Sequence, residues 1–405
     1  MAAMIELIQG GSVTSPKGFR AGGTYAGLKK RDDKVLDLGI LLSERPATVA
    51  ATFTTNKVVS PSVVLSRERA KRGTARAVVA NSGCANCCVG PQGLKDAADM
   101  AALAARHAGV GAEEMLVCST GMIGVELPMA LIRQNMGNIK LAPEGGHDFT
   151  RAIMTTDTHP KEIAVSLEVS GRKVTLGGAA KGSGMIHPNM ATMLSFITTD
   201  AAVDKGFLQT ALSEAVGASF NMIDVDSDTS TNDSVILLAN GAAGGSVIHG
   251  GSAAGAAFQE ALNYVCTALA KELARDGEGA QRLIEVVVDG AKTKQEARMA
   301  ARSVACSLLV KAMVHGRDPN WGRIMMAIGK SGAELDETKV DIFVNDIHIV
   351  HEGVSIPYFK DAVVSAMNVP EVGFRVSLNL GQESATAWGC DLTEGYVIEN
   401  SAYST

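Results

Sequence analysis

The chain of 405 residues has few aromatic residues, no excess of positive charge and an odd number of cysteines, which cannot all pair in disulfides. Aromatic residues make up 4% of it, so its core must consist mainly of Ala, Val, Leu, Ile and Met. The formal net charge is -6, and Lys and Arg are scattered, which argues against a nucleic-acid-binding protein. Seven cysteines without an export signal argue against a disulfide framework, so reduced thiols are expected.

Long apolar runs are missing as well. No run approaches the roughly 20 residues of a membrane-spanning helix, and the N-terminus lacks the basic and apolar regions of a signal peptide. We therefore expect a cytoplasmic protein that does not cross a membrane. The sequence does contain 46% hydrophobic residues and 43 glycines, which together predict a large core and many tight turns.

Short apolar runs of strand length alternate with Ala-rich helical stretches along the chain. Helices are predicted over 94–108, 256–273 and about 295–313. Strands are predicted over 48–53, 76–80, 115–118, 162–169, 193–198, 235–239, 285–288, 340–350 and 375–380. Because the two kinds of element mix without a regular strand–helix–strand rhythm, an α+β sandwich is favoured over a doubly wound parallel sheet.

The most informative segment is Lys181-Gly-Ser-Gly-Met-Ile-His-Pro-Asn-Met-Ala-Thr-Met-Leu194, close to the middle of the chain. Thr192 stands at the head of an apolar run. If the peptide bond between Ala191 and Thr192 is cut, Thr192 gains a free α-amino group that can act as the base for its own hydroxyl. A glycine-rich turn that leads into a buried strand is the alternative interpretation of the same residues.

This segment closely resembles the self-processing segment of the ornithine acetyltransferase family, the glutamate N-acetyltransferases of arginine biosynthesis. The resemblance extends from Pro16-Lys-Gly-Phe-Arg-Ala to Thr405. It implies a layered αββα architecture similar to that of N-terminal nucleophile hydrolases, with its own connectivity. It also implies self-cleavage into an α chain, 1–191, and a β chain, 192–405, which remain intertwined and assemble as an α2β2 heterotetramer.

The activity implied by the resemblance is acetyl transfer from N2-acetylornithine to L-glutamate. Thr192 would take the acetyl group, and glutamate would receive it from the acyl-enzyme in a ping-pong sequence. No cofactor and no metal are expected. Acetyl-CoA is left open as a second acetyl donor, because the sequence shows no separate CoA signature. A self-processing amidase or aminopeptidase is a more distant alternative, and an unprocessed amino-acid-binding protein is the non-enzymatic one.

The segment Cys118-Ser-Thr-Gly-Met-Ile-Gly-Val-Glu-Leu-Pro128 follows a predicted strand and matches a family segment. It predicts the Thr120 hydroxyl and the Gly121 N–H as donors to an oxyanion, although a Ser-Thr-Gly turn by itself is a common loop. The resemblance also implies a set of substrate contacts: Thr155, Lys181, Thr192, Glu278, Asn400 and Thr405. A carboxylate at Glu278 suits an ammonium group of ornithine. Lys181 suits a substrate carboxylate, or a role in tuning the Thr192 amine.

Other polar segments carry no assigned role. Cys84-Ala-Asn-Cys87 has the spacing of a zinc or redox pair, but no second pair completes a tetrahedral site, and it lies in a loop that matches the family. For block 226–233, support of the active site is favoured over a cation site. In block 315–323, the charged residues are expected to pair with one another. His187 receives no catalytic role, although its nearness to the scissile bond leaves a role in processing open.

Overall fold

The computed structural model describes residues 4–29, 35–187 and 193–402. The strands in these ranges are β1 Glu6–Leu7, β2 Phe19–Thr24, β3 Leu38–Phe53, β4 Thr74–Asn81, β5 Met115–Ser119, β6 Lys161–Val169, β7 Arg172–Lys181, β8 Leu194–Thr199, β9 Ile223–Asp224, β10 Ser234–Ala239, β11 Leu283–Ala291, β12 Asp341–Val344, β13 Ile347–His351, β14 Val354–Ser355, β15 Glu371–Ser377 and β16 Glu383–Cys390. The α-helices are α1 Pro61–Ala70, α2 Gln92–Ala108, α3 Met129–Asn135, α4 Gly146–Ile153, α5 Lys205–Ala218, α6 Ala253–Arg275, α7 Lys294–Ala305, α8 Leu308–Gly316, α9 Trp321–Gly329, α10 Lys360–Ala366 and α11 Glu394–Ala402.

The larger of the two sheets is mixed, with nine strands among the described residues. Its order is β1-β6-β7-β8-β10-β3-β4-β5, and β2 pairs with β3. The pairs β8–β10 and β4–β5 are parallel, whereas β7–β8 is antiparallel. Lys181, the last residue of β7, pairs with Leu194, the first residue of β8. The end of β7 and the start of β8 therefore lie side by side at the same end of the sheet.

The smaller sheet is also mixed and has the order β14-β13-β12-β15-β11-β16-β9. Its pairs β11–β15 and β16–β9 are parallel, and β11–β16 is antiparallel. Helix α7 packs against β11 and β16. The predicted α+β class is therefore confirmed by two mixed sheets with helices packed on them.

Helix α6 makes contact with both sheets. It packs against β6 and β7 of the larger sheet and against β9, β11 and β16 of the smaller one. Its close approach to β7 requires Gly178, because a Cβ there would lie 2.9 Å from side-chain carbons of both Val265 and Leu269. One helix is thus shared by the two sheets. The expected layered αββα order stays a prediction.

Two sequence predictions of single elements are wrong. The predicted strand 340–350 is a hairpin, β12 and β13, because Asn345 and Asp346 have φ of +42° and +67° and form a tight turn between them. The predicted helix 295–313 is two helices, α7 and α8. The break falls at Ser307, whose hydroxyl accepts the N–H of Val310 and so begins α8. None of the described helices is long and apolar enough to cross a membrane.

Candidate active site

Six of the residues predicted for the active site line one cleft that opens to solvent. They are Thr120, Gly121, Thr155, Lys181, Glu278 and Asn400. Thr120 and Gly121 follow β5, and Lys181 ends β7. Glu278 lies just after α6, and Asn400 lies in α11. Residues that are far apart in the sequence therefore meet at one surface.

Thr120 and Gly121, the predicted oxyanion donors, form the turn that leaves β5. Thr120 is buried, and its backbone N–H donates to the carbonyl of Asn81 at 3.0 Å. Gly121 has a φ of +124°, and a Cβ there would lie 2.3 Å from the carbonyl carbon of Gly83. Only glycine allows such a close approach. The loop 81–86, which the sequence analysis related to the family, is therefore the surface on which this turn rests.

Lys181 places a buried cation beside the predicted oxyanion site. Its Nζ lies 3.4 Å from Oγ1 of Thr120, and its side chain is almost fully buried. Burial lowers the pKa of Lys181, and repulsion from Lys161 adds to this effect, whereas the negative charge of Asp157 opposes it. Among the described residues, no carboxylate forms a direct ion pair with Lys181. Its charge is therefore free to act on a substrate carboxylate or on a group that reacts nearby.

Glu278 is oriented by hydrogen bonds to both of its carboxylate oxygens. The hydroxyl of Thr156 donates to Oε1 at 2.7 Å, and Nδ2 of Asn400 donates to Oε2 at 2.8 Å. The backbone N–H of Glu278 donates to the carbonyl of Ser183 at 2.9 Å. A Cβ on Gly184 would lie 2.4 Å from the carboxylate. The glycine-rich segment therefore leaves room for a fixed negative charge in the cleft.

A buried ion-pair network lies beneath Thr155. Nζ of Lys161 pairs with Asp157 at 2.6 Å and with Asp276 at 2.5 Å. Asp157 also accepts the N–H of Thr155 at 2.9 Å and that of Gly182 at 2.7 Å. Burial alone would raise the pKa of Asp157, but the nearby lysines and the Gly182 N–H outweigh it and lower this pKa well below its usual range. The network thus links the loop of Thr155 to the end of β7, and both of these segments line the cleft.

Block 226–233 holds the described residues on both sides of 188–192. Asp226 accepts the N–H of Met185 at 2.5 Å, and Asp233 accepts the N–H of Met193 at 2.8 Å. Burial raises the pKa of Asp226 to about 6 and raises the pKa of Asp233 well above its ordinary value. These contacts agree with the interpretation that this block supports the active site.

Asn232 connects the same block to the turn of the predicted oxyanion site. Its Nδ2 donates to the carbonyl of Ser119 at 2.8 Å and to that of Ala85 at 2.6 Å. Ala85 and Asn232 both line the cleft. A single amide side chain therefore fixes the end of β5 relative to the residues that lead into β10.

Block 315–323 lies away from the cleft, and its expected internal ion pairs are not observed among the described residues. The guanidinium of Arg317 donates to the side-chain oxygen of Asn368 at 3.3 Å, and that of Arg323 donates to the carbonyl of Leu309 at 2.8 Å. Arg317 ends α8 with a φ of +53°. The block therefore serves the junction between α8 and α9.

His187 lies at the smaller sheet. Its Nδ1 is 2.9 Å from Oδ1 of Asp224, and Oδ2 of Asp224 is 3.1 Å from Nζ of the buried Lys311. His187 does not line the cleft. Together with Asp224 and Lys311 it forms a polar contact between the glycine-rich segment and the edge strand β9.

Cys84 and Cys87 do not face each other as a pair of ligands. The thiol of Cys84 lies 3.0 Å from the carbonyl of Val125, and the thiol of Cys87 lies 3.8 Å from that of Cys88. All seven cysteines are free. The first contact helps to hold the loop 81–86 against the segment that follows Gly121.

Ala191 and Thr192, the predicted cleavage site, and Thr405, a predicted substrate contact, lie outside the described residues. Their roles stay predictions, as do the roles in catalysis and binding of the six residues that line the cleft. Met193, the first described residue after Thr192, is buried.

Several groups that shape the cleft were not predicted from the sequence. Thr156 was not among the predicted contacts, and Asp226, Asn232 and Asp233 were covered only by block 226–233. Those four carry a signal in the sequence, because polar residues clustered between apolar runs mark loops that often form sites. Lys161 carried none, since a lone lysine at the start of a strand is usually a surface charge.

Comparisons with known proteins show the family of this chain. The model of the ArgJ family matches residues 20–405. A relative from Dehalococcoides mccartyi, named arginine biosynthesis bifunctional protein ArgJ, is 48% identical over 405 residues and covers 100% of both chains. A relative of the same name from Symbiobacterium thermophilum is 52% identical over 403 residues, which is 99% of this chain and 100% of that protein.

A crystal structure of an arginine biosynthesis bifunctional protein ArgJ from Bacillus halodurans is similar to part of the chain. It is 44% identical, covers 52% of this chain and 100% of the solved chain, and has a TM-score of 0.52. The family match spans nearly the whole sequence, and the two relatives match it from end to end. The chain therefore belongs to the ArgJ family.

Proposed function

We propose that this protein transfers the acetyl group of N2-acetylornithine to L-glutamate and releases ornithine and N-acetylglutamate. The observation that carries the proposal is the cleft in which Thr120, Gly121, Lys181 and Glu278 converge. This cleft offers donors for an oxyanion, a buried cation and an oriented carboxylate, which are the groups that an acyl transfer between amino acids needs. Membership of the ArgJ family supports the same chemistry.

The proposed nucleophile is Thr192, released as an N-terminal residue when the chain cuts itself after Ala191. Cleavage would give an α chain, 1–191, and a β chain, 192–405. Two observations support this position. The strands on either side of the segment end at the cleft, where Lys181 pairs with Leu194. In addition, the solved Bacillus halodurans chain aligns over its full length with 52% of this chain, as a half-length product would.

In the first half-reaction, the α-amino group of Thr192 takes the hydroxyl proton while the hydroxyl oxygen attacks the acetyl carbonyl. An N-terminal amine has an ordinary pKa of about 7.7 to 8.0, so roughly a tenth of it is deprotonated at pH 7 and can act as a base, and this share rises with pH. The Thr120 hydroxyl and the Gly121 N–H would stabilise the oxyanion of the tetrahedral intermediate. When the carbon–nitrogen bond breaks, the proton passes from the amine to the leaving ornithine.

In the second half-reaction, the neutral α-amino group of glutamate attacks the acetyl ester of Thr192. As the bond from the acetyl carbon to the Thr192 oxygen breaks, the proton lost by the glutamate amine passes through the Thr192 amine to that oxygen and restores the hydroxyl. Glu278 would bind an ammonium group of ornithine, and Lys181 would attract a substrate carboxylate. Hydrolysis of the ester has to be avoided, so bound glutamate must exclude water from the acyl group. No cofactor takes part in this proposal, because the acetyl group passes from one amine to the other through Thr192.

A second candidate activity uses acetyl-CoA as the acetyl donor. It is favoured by the word "bifunctional" in the names of the relatives that match the whole chain. The same nucleophile and oxyanion donors would serve it. Transfer of radiolabelled acetyl from acetyl-CoA to glutamate, measured without acetylornithine, distinguishes one activity from two.

We also propose that the fold is similar to that of N-terminal nucleophile hydrolases, that two α and two β chains assemble as α2β2, and that the protein acts in the cytoplasm. Size-exclusion chromatography with light scattering tests the assembly, which should have twice the mass of one α and one β chain together.

The deciding experiment is intact-mass spectrometry of the wild-type protein beside Thr192→Ala, combined with an assay of ornithine release. The wild type should give two polypeptides that correspond to 1–191 and 192–405, and the variant should remain one inactive chain. Ornithine release should depend on glutamate. An uncut but active wild type would refute the nucleophile, and release of acetate without glutamate would indicate an amidase instead.

A further inference from the structure

Three potential metal ligands lie together on the β12–β13 hairpin of the smaller sheet, outside the cleft. They are Asp341 on β12 and His348 and His351 on β13. Nδ1 of His351 lies 2.8 Å from Oδ1 of Asp341, and Nε2 of His348 lies 3.7 Å from the same oxygen. One ligand atom from each of the three residues lies within 4.8 Å of the other two. The acetyl transfer proposed above uses none of these groups.

A β-bulge places the two histidines on the same face of the hairpin. In a regular strand, residues three positions apart point to opposite faces of the sheet. Here Val350 pairs with Ile342 while His348 pairs with Phe343, so Ile349 is an extra residue in β13. An extra residue reverses the alternation beyond it. The bulge therefore turns His348 and His351 toward the same carboxylate.

The ring of His348 is fixed and carries an unused ligand atom. It stacks on Phe343, with ring centroids 4.2 Å apart and an interplanar angle of 15°. The guanidinium of Arg375 lies 3.8 Å from the centroid of the same Phe343 ring. Nε2 of His348 is buried and has no hydrogen-bond partner within the part of the chain that the structure describes. A buried nitrogen without a partner is costly, and a bound cation would remove that cost.

Asp341 is held in place as an anion. Nδ2 of Asn379 donates to its Oδ2 at 3.1 Å, and the N–H of Glu352 donates to its Oδ1 at 3.1 Å. Burial alone would raise the pKa of Asp341, but these hydrogen bonds and the one from His351 lower it overall. Glu352 also lies 4.0 Å from Nε2 of His351, on the far side of the ring. A carboxylate beyond a ligating imidazole orients the ring and raises its basicity.

We propose that Asp341, His348 and His351 bind a divalent transition-metal ion of the Zn²⁺ class, which links β12 to β13. Two imidazole nitrogens and one carboxylate oxygen suit such an ion and not Mg²⁺ or Ca²⁺, which prefer oxygen ligands. Bonds of about 2.0 to 2.2 Å in a tetrahedron separate ligand atoms by about 3.3 to 3.6 Å. The distances of 2.8 and 3.7 Å lie on either side of that range.

The test is equilibrium dialysis of the full-length protein against Zn²⁺, with the bound metal counted by mass spectrometry. At a Zn²⁺ concentration that fills the site in the wild type, the wild type should bind one Zn²⁺ more than His348→Ala or His351→Ala. Each of these two variants should have an affinity for Zn²⁺ at this site that is at least about 10-fold weaker. His249→Ala, which changes an exposed histidine elsewhere, should bind as much as the wild type. An excess of Mg²⁺ should not displace the ion. Zn²⁺ should also raise the thermal midpoint of the wild type but not of the two variants.

A second cluster provides the decisive control, because His187, Asp224 and Cys306 also lie within range of one another. Cys306→Ala should leave the hairpin site intact. The proposal is overturned if this variant abolishes Zn²⁺ binding, or if the wild type and His351→Ala bind equally. It is also overturned if Mg²⁺ competes. A circular dichroism spectrum of His351→Ala that matches the wild type excludes misfolding as the cause of lost Zn²⁺ binding. Asp341→Asn should lose Zn²⁺ binding as well, although its side chain differs little in shape from that of the wild type.

Discussion

The ammonium group of Lys181 lies 3.4 Å from the hydroxyl oxygen of Thr120, and both side chains are buried. An ammonium group can only donate, so the Thr120 oxygen accepts in this contact. The hydroxyl proton of Thr120 is then free to point elsewhere. If it points into the cleft, Lys181 orients the group that is proposed to stabilise the oxyanion. Lys181 would then be a positioning residue as well as a source of positive charge.

This relationship predicts the effect of Lys181→Met. The variant should lower kcat for acetyl transfer by about 100-fold, the loss expected when one oxyanion donor is misplaced. The values are obtained from steady-state assays of ornithine release. Thr120→Ala should cause a loss of similar size. Since the two groups are proposed to act through one contact, the double variant should lose little more than either single variant.

Independent losses that multiply in the double variant would contradict this role of Lys181. The conservative variant Lys181→Arg separates charge from geometry. It keeps the positive charge but does not fit a fully buried site built for an ammonium group, so it should restore only part of the activity. Circular dichroism spectra that match the wild type are needed for each variant.

Gly121 and Gly124 form a matched pair on the same turn. Both have positive φ, but a Cβ on Gly121 would meet the backbone of Gly83 at 2.3 Å, whereas one on Gly124 would meet nothing within 4 Å. Gly121→Ala should therefore displace the N–H that is proposed to bind the oxyanion, and kcat should fall by about 100- to 1,000-fold. Steady-state kinetics of both variants measure the difference.

Gly124 has a φ of +79°, so Gly124→Ala carries the strain of a positive φ without the collision. It should keep activity within about 3-fold of the wild type while losing about 1 kcal/mol of stability. Equal loss of activity in the two variants would show that strain in the turn, and not the position of the Gly121 N–H, controls the rate. Thermal unfolding of both proteins supplies the stability comparison.

Elements with a clear local pattern were predicted correctly from the sequence. Strand β5 is a short buried apolar run, and helix α6 has apolar residues at helical spacing, so both follow from periodicity. The hairpin at 340–350 was not predicted, because both of its strands are rich in Val and Ile. The whole stretch therefore has the composition of one strand, although Asn345-Asp346 interrupts it. That pair of turn residues was the available signal.

The candidate site was predictable only where a motif marked it. Thr120, Lys181 and Glu278 were identified by resemblance, and the structure places them in one cleft. The ion pairs of Lys161 with Asp157 and Asp276 were not predictable, because charged residues are normally exposed and only the tertiary fold shows that these are buried. A sequence also gives no distance between residues on different elements.

Asp226 predicts a pH dependence of stability. Burial raises the pKa of its carboxyl from 3.8 to about 6, so the folded state favours the protonated form. Its contribution to stability is therefore fully present below about pH 4 and is lost as the pH rises through about 6. The free energy of unfolding of the wild type should fall by up to about 3 kcal/mol from this group across that range. Urea unfolding at several pH values measures it.

Asp226→Asn should remove this part of the pH dependence, because the amide does not titrate. Asp228→Asn, two residues away and exposed, should keep the wild-type dependence. All three proteins are compared at one protein concentration. The proposed two-chain protein dissociates when it unfolds, so its apparent stability depends on concentration. Parallel curves for the wild type and Asp226→Asn would contradict the raised pKa.

The hydrogen bond from Asn400 to Glu278 predicts how the C-terminal helix α11 contributes to substrate binding. Asn400→Ala removes the donor to Oε2, so that among the described residues the carboxylate keeps its bond from Thr156 alone and can rotate away from the proposed ammonium site. We expect KM for N2-acetylornithine to rise about 10-fold, because hydrogen bonds to charged groups contribute about 1.5 to 3 kcal/mol. The value of kcat should change little, since Glu278 is not proposed to touch the reacting carbonyl.

Ser401→Ala is the control, because the hydroxyl of Ser401 donates to the carbonyl of Ile398 within the same helix. An equal rise of KM in both variants would mean that α11 acts through its general stability and not through Glu278.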